Sequence, residues 1–162
     1  MKLCNTEIMK RIKFLEQQKY DIKSEERRIC KVTYISEEDK IDDGYSFSET
    51  TETIRNIDNE IRNLRHLLSY SNVTTIIEEF GMSLGECLVY MAQLNNEKGR
   101  LETLAQKEPK SRYSTSNGII EYTELNYDVE KCKKELTTVL ETISRLQIIV
   151  DRTNLTNMID VG

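Results

Sequence analysis

The chain has 162 residues and a formal net charge of −5, and 38% of its residues are hydrophobic, with no tryptophan and three phenylalanines. This length suits one domain, and the thin apolar content suits helices that pack along narrow seams. Charges of both signs are interspersed without a long basic block, which argues against general nucleic-acid binding. No stretch approaches the roughly 20 apolar residues of a membrane span, and the N-terminal residues lack the apolar region of a signal peptide.

The first predicted element is an amphipathic helix from about Leu3 to Cys30. Its apolar residues recur three and four positions apart, with Lys19 and Glu26 at two steps of the same rhythm. The apolar members are Ile8, Ile12, Leu15, Ile22 and Ile29. Since an α-helix turns every 3.6 residues, this spacing holds them on one narrow face. An acidic linker is predicted at 31–45.

A second amphipathic helix is predicted from Ser46 to about Tyr70. Ser46 with Glu49 three residues later forms a capping-box pattern, which marks a helix start. The same rhythm of three and four continues through Phe47, Thr50, Ile54, Ile57, Ile61, Leu64 and Leu68. The following residues, 72–81, form a connector in which the β-branched run at 73–77 favours extended chain.

The third helix begins at a second capping-box pattern, Ser83 with Glu86, and ends before Pro109, the one proline of the chain. Its interrupted stripe consists of Cys87, Met91, Leu94, Leu101 and Ala105. Residues 110–127 break the helical pattern. β-Branched and aromatic residues there, with the turn signal Asn117-Gly118, predict a short β-ribbon.

The fourth helix is predicted from a cap at Asp128 to about Arg152. It carries the longest apolar stripe, formed by Val129, Cys132, Leu136, Val139, Ile143, Leu146 and Val150. Two apolar residues in seven form the seam that a partner helix covers in a coiled coil. The stripe therefore predicts close helix pairing.

Together these elements predict an all-α fold with minor β: two antiparallel coiled-coil helical hairpins and a short β-ribbon before the last helix. We expect a single domain, 1–162, with one hairpin at 1–70 and the other at 71–162. Because an uncovered apolar stripe would stay in water, the narrow seams also predict a homo-oligomer.

The residue types offer little for catalysis or metal binding. The one histidine, His66, lies off the apolar stripe, and no metal-binding or phosphate-loop motif is present. We therefore predict a non-enzymatic protein with no catalytic residue, metal or cofactor. The cysteines, Cys4, Cys30, Cys87 and Cys132, are far apart, which favours reduced thiols and a cytoplasmic location.

Two neutral polar clusters follow the second and fourth helices, and they converge if the helices run up and down. With one exposed loop, they predict a site for a small anionic or nucleotide-like ligand at helix ends or between subunits. Its predicted residues are Asn72, Thr75, Arg112, Tyr113, Arg152 and Asn154. The arginines would pair charge, Tyr113 would stack, and the amides and hydroxyl would form hydrogen bonds. The same residue types also form ordinary helix caps and turns.

Five short segments also bear a family resemblance. They are residues 72–75 (Asn-Val-Thr-Thr), 81–84 (Gly-Met-Ser-Leu), 111–114 (Ser-Arg-Tyr-Ser), 127–129 (Tyr-Asp-Val) and 151–156 (Asp-Arg-Thr-Asn-Leu-Thr). In order and spacing the chain resembles the septicolysin-like family, which comprises helical proteins of bacteria and mobile elements. The resemblance implies a helical fold and no catalytic residues, and the family name implies a membrane-active cytolysin.

The sequence therefore predicts a non-enzymatic, homo-oligomeric helical binding protein that captures a small anionic ligand. One alternative is a structural or interaction scaffold whose stripes bind partner helices. The other is the cytolysin of the family name, against which the acidic composition and the lack of a basic amphipathic face argue.

Overall fold

The computed structural model describes residues 1–37 and 44–162, so part of the predicted acidic linker lies outside the described residues. The helices in these ranges are α1 (Asn5–Ile29), α2 (Phe47–Thr74), α3 (Leu84–Ala105) and α4 (Val129–Thr156). The strands are β1 (Lys2–Cys4), β2 (Ile76–Ile77), β3 (Met82–Ser83), β4 (Lys110–Ser114), β5 (Ile120–Glu124) and β6 (Met158–Asp160). They pair antiparallel as β1–β6, β2–β3 and β4–β5. The predicted fold class, all-α with minor β, is confirmed.

The chain divides into two compact units. The first contains residues 1–74 and 153–162, and the second contains residues 75–152. The C-terminal residues therefore belong with the N-terminal helices, where β6 pairs with β1 and aligns Leu3 with Ile159. The predicted single-domain organisation is not tested by this division and stays a prediction.

The first unit is built on the apolar seam between α1 and α2. Both predicted stripes meet there in one buried cluster of Ile8, Ile12, Leu15, Ile57, Ile61 and Leu64. The polar steps of the α1 stripe also find partners. Lys19 forms an ion pair with Asp58, and the Tyr45 hydroxyl donates to Glu26 Oε1 at 2.6 Å. That hydrogen bond to a carboxylate, with burial as a lesser cause, raises the pKa of Tyr45 to about 12.

The second unit is built on the seam between α3 and α4, and two buried clusters show that these helices run antiparallel. At one end the cluster contains Ile77, Leu84, Cys87, Leu146 and Val150. At the other end it contains Leu101, Cys132 and Val139. The stripes are thus covered by helices of the same chain along most of their length. Each stripe has a partner within its own unit, so the seams do not themselves require a second chain, and the homo-oligomer stays a prediction.

The predicted helix starts in the second unit are confirmed. The Glu86 backbone N–H donates to Ser83 Oγ at 3.2 Å, and the Ser83 N–H donates to Glu86 Oε2 at 2.7 Å. These two bonds complete the predicted capping box. Asp128 Oδ1 accepts from the N–H groups of Glu130 at 2.9 Å and Lys131 at 3.3 Å. Each cap satisfies amides that the first helical turn leaves without partners.

Three predicted boundaries differ from the structure. The fourth helix continues past Arg152 to Thr156, so Asn154 lies in its last turn and not after it. The second helix continues past Tyr70 to Thr74, so only Ile76 and Ile77 of the predicted extended run form a strand. Helix α1 begins at Asn5 rather than Leu3, because residues 2–4 are bound in β1. The Cys4 backbone N–H donates to Glu7 Oε2 at 2.8 Å, which closes the start of the helix. This bond is the main reason that the pKa of Glu7 is lowered.

One end of the α1–α2 seam is closed by a polar cluster of Asn5, Ser71, Asn154 and Asn157, here called the Asn–Ser cluster. The Ser71 hydroxyl donates to Asn5 Oδ1 at 3.1 Å and accepts from Asn157 Nδ2 at 2.9 Å. Asn5 Nδ2 donates to Asn154 Oδ1 at 3.1 Å. Among the described residues, no buried side-chain nitrogen or oxygen lacks a hydrogen-bond partner. The cluster therefore ties the last turns of α2 and α4 to the first turn of α1 without an unsatisfied buried group.

The Asn–Ser cluster makes the first testable prediction. Ser71→Ala should lower the free energy of unfolding by about 1–3 kcal/mol, because it removes the hydroxyl that donates to the buried amide oxygen of Asn5. Urea denaturation of the full chain measures the change. Ser69→Ala is the matched control, since Ser69 lies in the same helix and is exposed. Equal effects of the two substitutions would show that the cluster does not stabilise the fold.

A second prediction concerns the α3–α4 seam. Leu146 is completely buried and Ile148 is 57% exposed, although both lie in the same part of α4. Leu146→Ala should lower the free energy of unfolding by about 2–5 kcal/mol, because it removes buried methyl groups and leaves a cavity. Ile148→Ala should change it by less than about 0.5 kcal/mol. Thermal or urea denaturation checks both values, and a larger loss for Ile148→Ala would contradict the seam.

Candidate functional site

The first unit contains a groove along α1 and α2, here called the α1–α2 groove. Its volume is about 720 Å³, within the range of roughly 300–1,000 Å³ that small-molecule sites occupy. Its apolar side chains come from Met1, Leu3, Phe14, Leu64, Leu67 and Val161. Glu7, Lys10, Arg11, Glu60 and Asn63 contribute its polar groups, and Gly162 completes the lining. A mostly apolar floor with a few polar groups is typical of a ligand site.

The local structure explains how these side chains are positioned. Leu64 belongs to the buried seam, and its partners in the groove lie on the neighbouring faces of the two helices. Phe14 is 58% exposed, and the Arg11 guanidinium carbon lies 5.7 Å from the centre of its ring. Arg11 Nε also donates to Glu60 Oε1 at 2.9 Å across the two helices. A cation over an aromatic face is attractive, so Arg11 and Glu60 hold the ring of Phe14 in place.

Some charged side chains in the groove lining have partners within the first unit. Arg11 and Glu60 neutralise each other, and Glu7 accepts the backbone N–H of Cys4. Lys10 forms no ion pair with any described residue, since salt bridges within the first unit use other cations. The Lys10 charge also acts on Glu7, whose pKa it lowers as a lesser cause after the hydrogen bonds from Cys4. Of the lining side chains, Lys10 is nevertheless the cation whose ammonium is not held in an ion pair, so an anion in the groove can contact it.

The site residues predicted from the sequence lie in both units. Asn72 and Asn154 belong to the first unit, and both are half-buried. Asn154 Oδ1 accepts from Asn5 Nδ2 in the Asn–Ser cluster, so this amide already has a structural role. Thr75 and Arg152 belong to the second unit. The Thr75 carbonyl accepts the N–H of Leu84 at 2.8 Å and thereby closes the β2–β3 hairpin.

The other two predicted residues, Arg112 and Tyr113, lie next to each other on β4. Neighbouring residues of a strand point to opposite faces, so the guanidinium and the ring do not face one ligand together. The Tyr113 hydroxyl donates to Glu121 Oε2 at 2.6 Å on the opposite strand, which raises the pKa of Tyr113. The capture of an anion by all six predicted residues stays a prediction.

The sequence reasoning missed Asn5 and the groove residues. Asn5 lies three positions before Ile8 and so occupies a step of the apolar stripe. A polar residue in step with a stripe was the available signal for the Asn–Ser cluster. The groove gave no such signal, because Lys10 and Phe14 lie beside the stripe and resemble ordinary exposed positions.

Other chemistry is limited in the described part of the chain. No group of three or more His, Cys, Asp or Glu side chains in residues 1–37 and 44–162 could hold a metal ion. All four cysteines are free thiols, of which Cys30 is exposed and the other three are buried. Burial raises the pKa of the Cys87 thiol, which makes it a poorer nucleophile. Among the described helices, none has the length and apolar content needed to cross a membrane.

Comparisons with known proteins identify a related fold but no family. No protein-family model matches the chain, and no curated protein sequence matches it. The fold is similar to the crystal structure of a functionally unknown conserved protein from Corynebacterium diphtheriae, with a TM-score of 0.64 and 15% sequence identity. The match covers 99% of this chain and 100% of that one. At this identity the likeness shows the fold alone, and the resemblance to the septicolysin-like family stays a prediction.

Proposed function

We propose that this protein is a non-enzymatic, homo-oligomeric binding protein that captures a small amphipathic anion, with an apolar body and one carboxylate or phosphate, in the α1–α2 groove. The observation that carries the proposal is the combination of an apolar floor and one available cation. Leu3, Leu67 and Val161 offer the apolar surface, and Lys10 stands among them. This combination keeps the predicted anionic ligand but assigns it to residues other than those predicted from the sequence.

The groove favours an amphipathic ligand over a nucleotide. A nucleotide needs several hydrogen-bonding groups around its base and sugar, whereas most of the groove lining is apolar. Burial of an alkyl chain is favourable by about 0.8 kcal/mol for each CH₂ group. The ammonium of Lys10 can then pair with the anionic head, and such a charge-assisted hydrogen bond is stronger than a neutral one.

The groove also favours a small ligand over a partner helix. The interaction scaffold predicted as an alternative uses the apolar stripes to bind partner helices, but those stripes are buried within each unit. A partner helix would have to bind beside the seam, where Arg11 and Glu60 form an ion pair across the top of the two helices. Both side chains of that pair are close to half exposed, and a partner helix that covered them would remove both charges from water, which is unfavourable.

The test uses decanoate and decanol, which share an alkyl chain and differ in charge. Decanoate below its micellar concentration should raise the thermal midpoint of the full chain, with about 2.7 kcal/mol of added stability at 100 times the dissociation constant. Decanol should bind at least about tenfold more weakly, since it lacks the charge that Lys10 recognises. Isothermal titration calorimetry gives both affinities directly.

Matched variants locate the ligand within the groove. Lys10→Gln should weaken decanoate binding about tenfold or more while decanol binding is unchanged, because a charge-assisted hydrogen bond is lost. Lys13→Gln is its control, since Lys13 lies on α1 outside the groove. Phe14→Ala should weaken both ligands, whereas Phe47→Ala should not, although Phe47 is 68% exposed in the same unit. Equal binding of decanoate and decanol, or unchanged binding to Lys10→Gln, would refute the proposal.

A further inference from the structure

The ribbon formed by β4 and β5 exposes several aliphatic and aromatic side chains. Its strands pair over five residues on each side, and the turn between them includes Gly118 at φ +75°. Tyr113, Ile119, Ile120 and Tyr122 are all exposed. A two-stranded ribbon is marginally stable without a third strand or a covering helix. The ribbon therefore has surface and backbone groups that a further strand can use.

The hydrogen bonds of the ribbon show which backbone groups face outward. The Thr115 N–H donates to the Ile119 carbonyl at 2.8 Å, and the Leu125 N–H donates to the Pro109 carbonyl at 3.0 Å. In an antiparallel pair, hydrogen-bonded and non-hydrogen-bonded pairs alternate along the ladder. The pairs at 115/119 and 109/125 are both hydrogen-bonded, so residues 110, 112 and 114 of β4 and residues 120, 122 and 124 of β5 present their N–H and C=O groups outward.

The two edges differ in the side chains that accompany these outward groups. The β4 edge carries Lys110 and Arg112, and proteins use such charges to prevent unwanted strand pairing. The β5 edge carries Ile120 and Tyr122, which are β-branched and aromatic residues that favour pairing. Both carboxylates of β5 are engaged within the ribbon: Glu124 forms an ion pair with Lys110 at 3.3 Å, and Glu121 accepts the Tyr113 hydroxyl at 2.6 Å. The β5 edge is therefore the unprotected one.

We infer that β5 pairs with β5 of a second copy of this chain, antiparallel about a two-fold axis at Tyr122, and so forms a four-stranded sheet across a homodimer. This inference rests on the self-association in the proposed function and names the surface that carries it. In this register, Tyr122 lies opposite Tyr122 of the partner, and aromatic cross-strand pairs are stabilising. Lys110 lies 5.8 Å from the centre of the Tyr122 ring within the ribbon, which orders the ring before the strands meet.

The charges favour this register and a second copy as the occupant. About an axis at Tyr122, Glu121 lies opposite Thr123 and Glu124 lies opposite Ile120, so no like charges meet directly. The equivalent pairing of two β4 edges would place Arg112 opposite Arg112, which is unfavourable. A shift of the β5 axis to Glu121 would place two carboxylates opposite each other. Of these three arrangements, the pairing at Tyr122 is the one that opposes no like charges.

The test compares matched edge variants of the full chain by sedimentation equilibrium. The unchanged protein should have twice the 19.0 kDa mass of one chain. Tyr122→Lys should give a monomer, because a lysine on an edge strand opposes pairing. Ser114→Lys is the control, since Ser114 has an outward-facing backbone on the other edge of the same ribbon, and it should remain a dimer. Circular dichroism shows whether each variant keeps its helices.

Amide hydrogen exchange tests the same pairing without a substitution. In the dimer, the outward amides of Ile120, Tyr122 and Glu124 should exchange about tenfold or more slowly than those of Lys110, Arg112 and Ser114, because hydrogen-bonded amides exchange only on opening. A dimer in which both edges exchange equally fast, or which Tyr122→Lys leaves intact, would overturn the β5 pairing. A monomeric unchanged protein would overturn self-association, whereas decanoate binding by that monomer would leave the groove proposal standing.

Discussion

Two narrow apolar seams, one between α1 and α2 and one between α3 and α4, are the interaction on which the rest of this structure depends. With no tryptophan and three phenylalanines, the chain fills them mainly with aliphatic side chains, and Ile8, Leu15, Leu84 and Leu146 are fully buried. A seam of this width leaves the helix ends close to water and their first amides without partners. Polar closures therefore recur at the ends of the seams, as a capping box at Ser83 and as the Asn–Ser cluster.

The parts of the fold that could be predicted from the sequence are those with local signals. A stripe such as Ile57, Ile61 and Leu64 can be recognised in the sequence because its successive members lie about one helical turn apart. The helix starts at Ser83 with Glu86 and at Asp128, and the ribbon turn at Asn117-Gly118, can also be recognised because their residues are close together in the sequence. These signals predicted four amphipathic helices and the ribbon, although α2 and α4 each continue four residues beyond the predicted end.

The parts that could not be predicted depend on partners far away in the chain. Asn5 forms hydrogen bonds with Asn154, 149 residues away, and with Ser71, 66 residues away. The β1–β6 pair joins residues that, taken locally, continue a helix or follow one. The spacing nevertheless indicated that both side chains lie on the apolar face of their helices, since Asn5 precedes Ile8 by three positions and Ser71 follows Leu68 by three. A polar residue that occupies a position of a buried apolar stripe is itself buried and needs a hydrogen-bond partner. The spacing of the stripe predicts this burial, but it does not predict which residue is the partner.

The two surfaces proposed for binding share a physical feature that lies outside the stripes. In the α1–α2 groove, Arg11 lies over the ring of Phe14, and on the ribbon Lys110 lies over the ring of Tyr122. Both rings are more than half exposed. A cation that restrains an exposed ring reduces the side-chain entropy that a ligand or a partner would otherwise lose on binding. The regularly spaced apolar residues are buried in the seams. The two surfaces that we propose for binding therefore depend on exposed aromatic residues whose rings lie beside a cation.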